Sequence, residues 1–572
     1  MTSNMGLTYT SCPIHCITSS NPITLVDFDS QIAHLEKNII ALKRRRNANL
    51  PIFRLPPEIL CKIFIFCTTE LDGLNPDNSD VVQATGDGSR PFLPQLLRLT
   101  HICQDLREVL LQCPPYWGKL VPCSKDCMKE LLFRSSSAPI KVDLSPPGPY
   151  RPREHMENFS SIMKQIGRIH TLILPLHFSL MERMEAHLCQ DAPTLEYLEL
   201  SVRYTGIRLP FGRLFGGDTP SLRHINFRGI FMDWTAPIFR GLTSLTINGV
   251  EVPNYSSNIE GDFSQMLSAL ENMPSLQTLS LTSALPPEHP NTSTTRQISF
   301  PALTTLRVYD EVGQCAHFLD RLVLPNASSI AIHAFEAQQS HSDAVGYFFS
   351  ALHARLRDPP ISVPILALEF GVDSSLVAAY TSITEDGETP SGGEELPQPL
   401  GVAITLIMDP EVEPYEWVSD LLEMLPLSNV RATAIRGASS LTLEDGHQYF
   451  DGLVDVRVCE VVGEIGPAFA TLISTCFPHL ERLCFRGIDF DYRDVDDEME
   501  TPFREALASS LGERFLNGFD LLEEMEIESC EGLTEEIIDR YEAYSRHVEW
   551  DWCGFVEMTD DHSDTEDDNS DA

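Results

Sequence analysis

The chain has 572 residues, 42% of them hydrophobic, and carries 83 Asp and Glu against 41 Lys and Arg, a formal net charge of −42. That apolar content supports a large core, while the charge excludes nucleic acid and anionic membrane surfaces as main partners, because phosphates would meet repulsion nearly everywhere. Fifteen cysteines spread along the chain, with neither a secretory leader nor an apolar run of membrane-spanning length, fit a reduced protein of the cytoplasm or nucleus whose partners are proteins.

Residues 1–24 lack periodicity and read as a disordered arm. Within 25–50, Phe28, Ile32, Leu35, Ile39 and Leu42 recur every three or four residues between charged ones, which predicts an amphipathic helix stopped by Pro51. Its apolar stripe needs a cover, either the helices that follow or a second copy. The basic run Lys43, Arg44, Arg45, Arg46 on this helix is either a solvated face or a patch for nuclear entry.

The next stretch, "FRLPPEILCKIF", runs from Phe53 to Phe64. Pro56 and Pro57 suit a helix start, where missing N–H donors cost little, and Glu58 lies in the first turn, where negative charge is favoured. Ile59, Leu60, Ile63 and Phe64 then fall on one helical face, with Phe53 and Leu55 ahead as anchors. Residues 68–95 read as a polar Asp/Asn/Gly-rich insertion. Apolar helical spacing resumes at Leu96, Leu97, Leu99, Ile102, Leu106, Val109 and Leu110 and closes at Trp117.

"LPPEILCKIF" and "LTHICQDLREVLLQCPPYWGKLV" together resemble the F-box-like domain abundant in mushroom-forming (basidiomycete) fungi. Leu55, Pro56, Glu58, Ile59, Leu60, Ile63 and Phe64 stand at the positions of the family's opening motif, Ile102 and Cys103 at its Val-Cys pair, and Trp117 at its closing Trp. Leu106 stands where the family usually has a Trp. The resemblance implies a small all-helical domain over 51–122 that binds the Skp-family linker of an SCF-type cullin-RING ubiquitin ligase. The residues implied are Leu55, Pro56, Pro57, Glu58, Ile59, Leu60, Ile63, Phe64, Ile102, Leu106 and Trp117. Clustered apolar side chains on short helices make the centre of such an interface; the same side chains also suit the domain's own core.

Residues 123–556 carry repeats: "PTLEYLEL" at Pro193, "PSLRHINF" at Pro220, "PSLQTLSL" at Pro274, "PALTTLRV" at Pro301 and "PHLERLCF" at Pro478. Each has a turn proline followed by apolar residues at offsets two, five and seven, and several intervals are close to 27 residues. The predicted repeat core is Leu195, Leu198, Leu200, Leu222, Ile225, Phe227, Leu276, Leu279, Leu281, Leu303, Leu306, Val308, Leu480, Leu483 and Phe485. This spacing resembles leucine-rich repeats, and implies an irregular α/β solenoid of short parallel strands with outer helices, such as the one expected around Phe263, Leu267 and Leu270. Polar residues between the strand leucines, Glu196, Tyr197 and Glu199 or Arg223, His224 and Asn226, are expected on the face away from the core, either as a ligand surface or as a solvated one.

Residues 384–400 read as a disordered excursion and 557–572 as a disordered acidic tail, in which Ser563 and Thr565 suit acidophilic kinases. Neither a Walker-type loop nor an H-E-x-x-H pair occurs. Cys12 with Cys16 and Cys123 with Cys127 lack the further Cys or His a zinc site needs, and Asp489–Glu500 lacks the spacing of a calcium loop. The expected function is that of a substrate-recognition adaptor with no chemistry, cofactor or metal of its own, its repeats holding an unidentified and preferably basic protein client. The alternative is an interaction scaffold of the same fold that joins no ligase.

Overall fold

The computed structural model describes residues 25–70, 92–145, 152–176, 185, 187–202, 207–208, 214–231, 233–249, 263–286, 297–325, 329–335, 343–357, 365–371, 376–380, 402–408, 418, 421–423, 425, 427–438, 441–493 and 501–551. Residues 1–24, 384–400 and 557–572, with Ser563 and Thr565, lie outside the described residues, as do 71–91 of the polar insertion. The fold is mixed α/β and divides into two units, one of residues 1–121, 126–138 and 147–149, the other of 122–125, 139–146 and 150–572. Among the described residues, no helix is long and apolar enough to cross a membrane.

In the first unit, α1 (Leu25–Ala48) runs without a Pro or Gly and ends just before the short turn Pro51–Arg54. Its stripe of Phe28, Ile32, Leu35, Ile39 and Leu42 is at least half exposed at every position, so the following helices do not cover it. Helix α2 (Pro57–Glu70) begins as its prolines dictate, with the Pro56 carbonyl accepting from the N–H groups of Ile59 and Leu60 at 3.0 and 3.1 Å. Helices α3 (Phe92–Thr100) and α4 (Gln104–Leu111) follow. The Cys103 thiol caps α4 by accepting from the Leu106 N–H at 3.5 Å. The chain then closes on itself at Pro114–Trp117, where the Tyr116 hydroxyl donates to the Leu96 carbonyl and the Trp117 indole to the Leu110 carbonyl, each at 2.8 Å. These bonds satisfy the two polar groups that large buried aromatics bring with them. Helix α5 (Lys125–Arg134) groups with this unit save for its first residue, and lays the Arg134 guanidinium 4.4 Å from the Trp117 ring centroid.

The second unit is organised by one sheet. In chain order its strands are β1 (Ile140–Asp143), β2 (Ile169–Leu176), β3 (Tyr197–Val202), β4 (His224–Arg228), β5 (Ser244–Asn248), β6 (Thr278–Thr282), β7 (Thr305–Glu311) and β8 (Ser329–Phe335). They continue with β9 (Ala367–Gly371), β10 (Leu376–Tyr380), β11 (Val402–Met408), β12 (Ala432–Ala438), β13 (Val458–Ile465), β14 (Arg482–Arg486), β15 (Glu524–Glu528) and β16 (Val548–Trp550). Neighbouring strands from β1 to β8 pair parallel and in sequence order, as do those from β12 to β16. Between the two runs the order becomes β8-β11-β10-β9-β12, with β10 antiparallel to both neighbours.

Register explains why the apolar spacing recurs. Leu198 pairs with Ile225, Ile225 with Leu245, Leu245 with Leu279 and Leu279 with Leu306; Leu200, Phe227, Ile247, Leu281 and Val308 form the adjoining row. In the later run Cys459, Leu483 and Met525 align, as do Val461, Phe485 and Ile527. Side chains two apart on a strand share a face, so each row is a continuous apolar seam, and every one of these residues is buried. The predicted Leu195, Leu222, Leu276, Leu303 and Leu480 are buried just ahead of their strands.

Hydroxyl groups fasten the turns. Thr194 Oγ1 donates to the carbonyls of Gly167 and Ile169 at 3.1 and 3.0 Å, Ser221 Oγ to Pro193 at 2.8 Å, Thr243 Oγ1 to Arg223 at 3.2 Å and Thr304 Oγ1 to Gln277 at 3.1 Å. Each ties a strand entry to the preceding copy.

Helices α6 (Pro152–Met163), α7 (Phe263–Glu271), α8 (Val312–Arg321), α9 (Asp343–Arg357), α10 (Leu443–Phe450), α11 (Pro467–Thr475), α12 (Phe503–Leu516) and α13 (Glu535–Glu542) connect strands. Buried Arg514 of α12 replaces water for the carbonyls at the end of α11, donating to Phe477 at 2.6 Å and Ile473 at 3.2 Å. Burial lowers its affinity for the proton to about 10, still far above neutrality, so it remains a cation.

Candidate partner-binding surfaces

Helix α2 is apolar on two sides. Leu60 and Phe64, one turn apart, are 3% and 7% exposed and join a small core with Leu96, Leu106, Leu110, Tyr116 and Trp117, all buried in the same unit. The Cys61 thiol lies against that of Cys113 in this interior, and burial, with the neighbouring thiol second, pushes it up to about 12. On the other side Ile59 and Ile63 are 41% and 37% exposed and Phe66 is 59% exposed. These three follow at i, i+4 and i+7, one stripe of a helix. Pro56, Pro57 and Glu58 are exposed at its N-terminus, Leu55 is 37% exposed just before it, and Ile102 projects from the α3–α4 turn at 62% exposure.

The eleven residues that the resemblance assigned to the linker thus separate by side. Leu55, Pro56, Pro57, Glu58, Ile59, Ile63 and Ile102 are at the surface, whereas Leu60, Phe64, Leu106 and Trp117 form the interior and have no face to offer a partner. Sequence spacing alone put Ile59, Leu60, Ile63 and Phe64 on one side. Phe66 was missed, and its position three residues beyond Ile63 is the signal that finds it.

In the second unit the face opposite the apolar seams changes character along the sheet. From β5 to β6 it carries Ser244, Thr246, Asn248, Thr278, Ser280 and Thr282, all half-buried. At β3 and β4 the Glu199 carboxylate accepts from the Tyr197 hydroxyl at 2.9 Å and from Asn226 at 3.3 Å; three of the six residues expected away from the core are thus drawn into a network, Asn226 being buried instead of exposed, while Glu196, Arg223 and His224 are exposed, the His224 ring lying against that of Tyr197. From β9 to β15 the same face combines a buried apolar cluster, Ala367, Ala378, Tyr380, Ala432 and Val458, with ion pairs. Arg436 reaches Glu369, Arg486 spans Glu460 and Glu528, and Arg482 spans Glu524 and Glu526. Glu369 and Glu460 are each 4% exposed, and buried carboxylates persist only when so paired.

The fold also brings together three residues that sequence reasoning left apart. His447 and Asp451, one turn apart at the end of α10, face Cys476 at the end of α11, and their ligand atoms lie within 4.8 Å of one another. The available signal was the i, i+4 His/Asp pair with a Cys about one repeat later. The arrangement is not that of a nucleophilic triad: the thiol and the carboxylate both approach Nδ1 of His447, at 3.6 and 3.0 Å, so the imidazole cannot relay a proton from one to the other through its two nitrogens. Burial pushes the Cys476 thiol up to about 11, which keeps it protonated near neutrality.

No protein-family model matches the chain, and no curated protein matches it.

Proposed function

We propose that the chain is a substrate-recognition adaptor of an SCF-type ubiquitin ligase, its first unit an F-box-like domain that binds a Skp-family linker and its second a leucine-rich-repeat solenoid that holds a protein client. The observation that carries this reading is the two-sidedness of α2. Leu60 and Phe64 turn into the core, while Ile59 and Ile63 stay 41% and 37% exposed and supply the apolar centre of an interface, with Glu58 and Lys62 at its rim. Leu106, where the family usually has a Trp, sits in the interior at 5% exposure. Its smaller size therefore bears on core packing and leaves the contact surface unchanged. The apolar seams and parallel register of the second unit are the support for the repeat reading. The net charge of −42 favours a basic client. Such a protein performs no chemistry; it raises the effective concentration of a client lysine near a charged ubiquitin carrier.

Co-purification of the full chain with a Skp-family linker tests this. Charge at Phe64 would test folding instead of binding, so the variant is Ile59→Asp/Ile63→Asp. It is expected to fold as the parent does and to lose linker affinity by at least about 30-fold, the equivalent of one interface hot spot. Failure of the unaltered chain to bind, or equal binding by the variant, removes the reading.

A further inference from the structure

We propose that His447, Asp451 and Cys476 form a zinc site that fastens α10 to α11, with water in the fourth position. The three ligand atoms are Nδ1 of His447, Oδ1 of Asp451 and Sγ of Cys476, separated by 3.0 Å from nitrogen to oxygen and by 3.6 Å from sulfur to each of the others. Ordinary zinc bond lengths in a tetrahedron put such atoms about 3.4 Å apart for nitrogen and oxygen and about 3.6 Å apart for either with sulfur. The two sulfur edges of the triangle already match those of a single bound ion, and the nitrogen–oxygen edge has only to widen by about 0.4 Å to admit it.

Each side chain is held by local structure. Thr442 caps α10 by accepting from the Asp445 N–H at 3.2 Å, which fixes the helix that carries His447. Gly446 lets α10 approach α11 so closely that a Cβ there would collide with the δ-carbons of Leu472. This contact, next to His447 in sequence, brings the imidazole within reach of the Cys476 sulfur. Asp451 and Cys476 are the C-terminal caps of the two helices, so both partial negative charges of the helix ends converge on the proposed cation. Cys476 is 4% exposed, whereas the side chains of His447 and Asp451 are 43% and 66% exposed, leaving an entry path and room for the water. A thiolate, an imidazole and one carboxylate select a borderline ion such as zinc over magnesium or calcium, which prefer all-oxygen shells.

Binding releases the thiol proton to solvent as the sulfur takes the metal, and the proton that Nδ1 shares with the Asp451 carboxylate moves through solvent to Nε2, so that a neutral imidazole ligates through Nδ1. The test is titration of the full chain, purified with reductant and stripped by chelator, with zinc followed calorimetrically and with cobalt followed by absorption. One equivalent is expected to bind, with a near-ultraviolet sulfur-to-cobalt band and visible bands of tetrahedral intensity. Cys476→Ser should abolish the sulfur band and weaken zinc at least about 100-fold, beyond the roughly 10–100-fold typical of losing an outer partner. Asp451→Asn, at an exposed position where misfolding is not at issue, should weaken zinc at least about tenfold. Cys189→Ser, an exposed thiol elsewhere, should leave both signals intact. Absence of a one-equivalent site in the parent, or a sulfur band and affinity retained in Cys476→Ser or affinity retained in Asp451→Asn, overturns the proposal.

Discussion

Two stretches of the same sheet, β5 to β7 and β12 to β15, share one core and differ on the other face. In both, alternate positions fill the apolar seams: Leu245, Leu279 and Leu306 in the first, Cys459, Leu483 and Met525 in the second. Opposite the seam, the first presents Ser, Thr and Asn at β5 and β6, while the second presents Arg482 and Arg486 locked to Glu460, Glu524, Glu526 and Glu528. The seam is dictated by stacking, because each side chain has a neighbour above and below. The open face has no such constraint. The cations of the charged stretch are held by its own carboxylates, whereas β5 and β6 present uncharged hydroxyl and amide groups.

The sharpest break between the two faces is within one strand. Leu279→Ala in β6 removes a side chain that is fully buried between Leu245 and Leu306, and is expected to cost about 2–5 kcal/mol. Ser280→Ala, the next residue on the opposite face, is expected to change stability by no more than about 0.5 kcal/mol. Urea unfolding of both variants measures the difference, and equal effects would dissolve the distinction between seam and open face.

A smaller effect separates the ion-paired stretch from β5 to β7. Arg486→Ala removes an ion pair from Glu460, which it meets at 2.5 Å and which is 4% exposed; the expected loss is about 1–3 kcal/mol, with part of it restored by adding Glu460→Gln. Arg307→Ala, on the half-buried face of β7, is expected to stay within about 0.5 kcal/mol. If the second substitution in the double variant recovers nothing, the ladder is not a set of dependent pairs. A smaller loss than that of Arg486→Ala is expected for Thr304→Val, which deletes the 3.1 Å bond to the Gln277 carbonyl at nearly constant shape and should cost about 0.5–1.5 kcal/mol. No loss there would mean that water replaces the hydroxyl and that the turn fastening has no energetic role.

The apolar surface of α2 was legible only as a set. Helical spacing found Leu55, Ile59, Leu60, Ile63, Phe64 and Trp117, because apolar residues three or four apart must share a cover. It did not separate Ile59 and Ile63 from Leu60 and Phe64, since the helix is apolar over an arc wider than one neighbour covers and the boundary depends on where Tyr116 and Trp117 close the core. Likewise the stripe of α1 was evident from its period, while its exposure was decided by what the chain placed elsewhere. The His447, Asp451 and Cys476 cluster was missed for a different reason: one of its three residues comes from another helix, and the contact rests on the Gly446–Leu472 approach.

The amino-acid order alone determined periodicity: which residues alternate, which recur near every 27 positions, where prolines open a turn or end a helix. These are local consequences of backbone geometry and of the free energy of hiding apolar surface, and they need no knowledge of distant neighbours. Tertiary structure decided which side of α2 remained in water, how β10 reversed direction between two parallel runs, which carboxylates met an arginine, and that a thiol would face an imidazole. Those outcomes depend on pairwise distances between segments far apart in the chain, set by side-chain volume and by the requirement that each buried polar group find a partner.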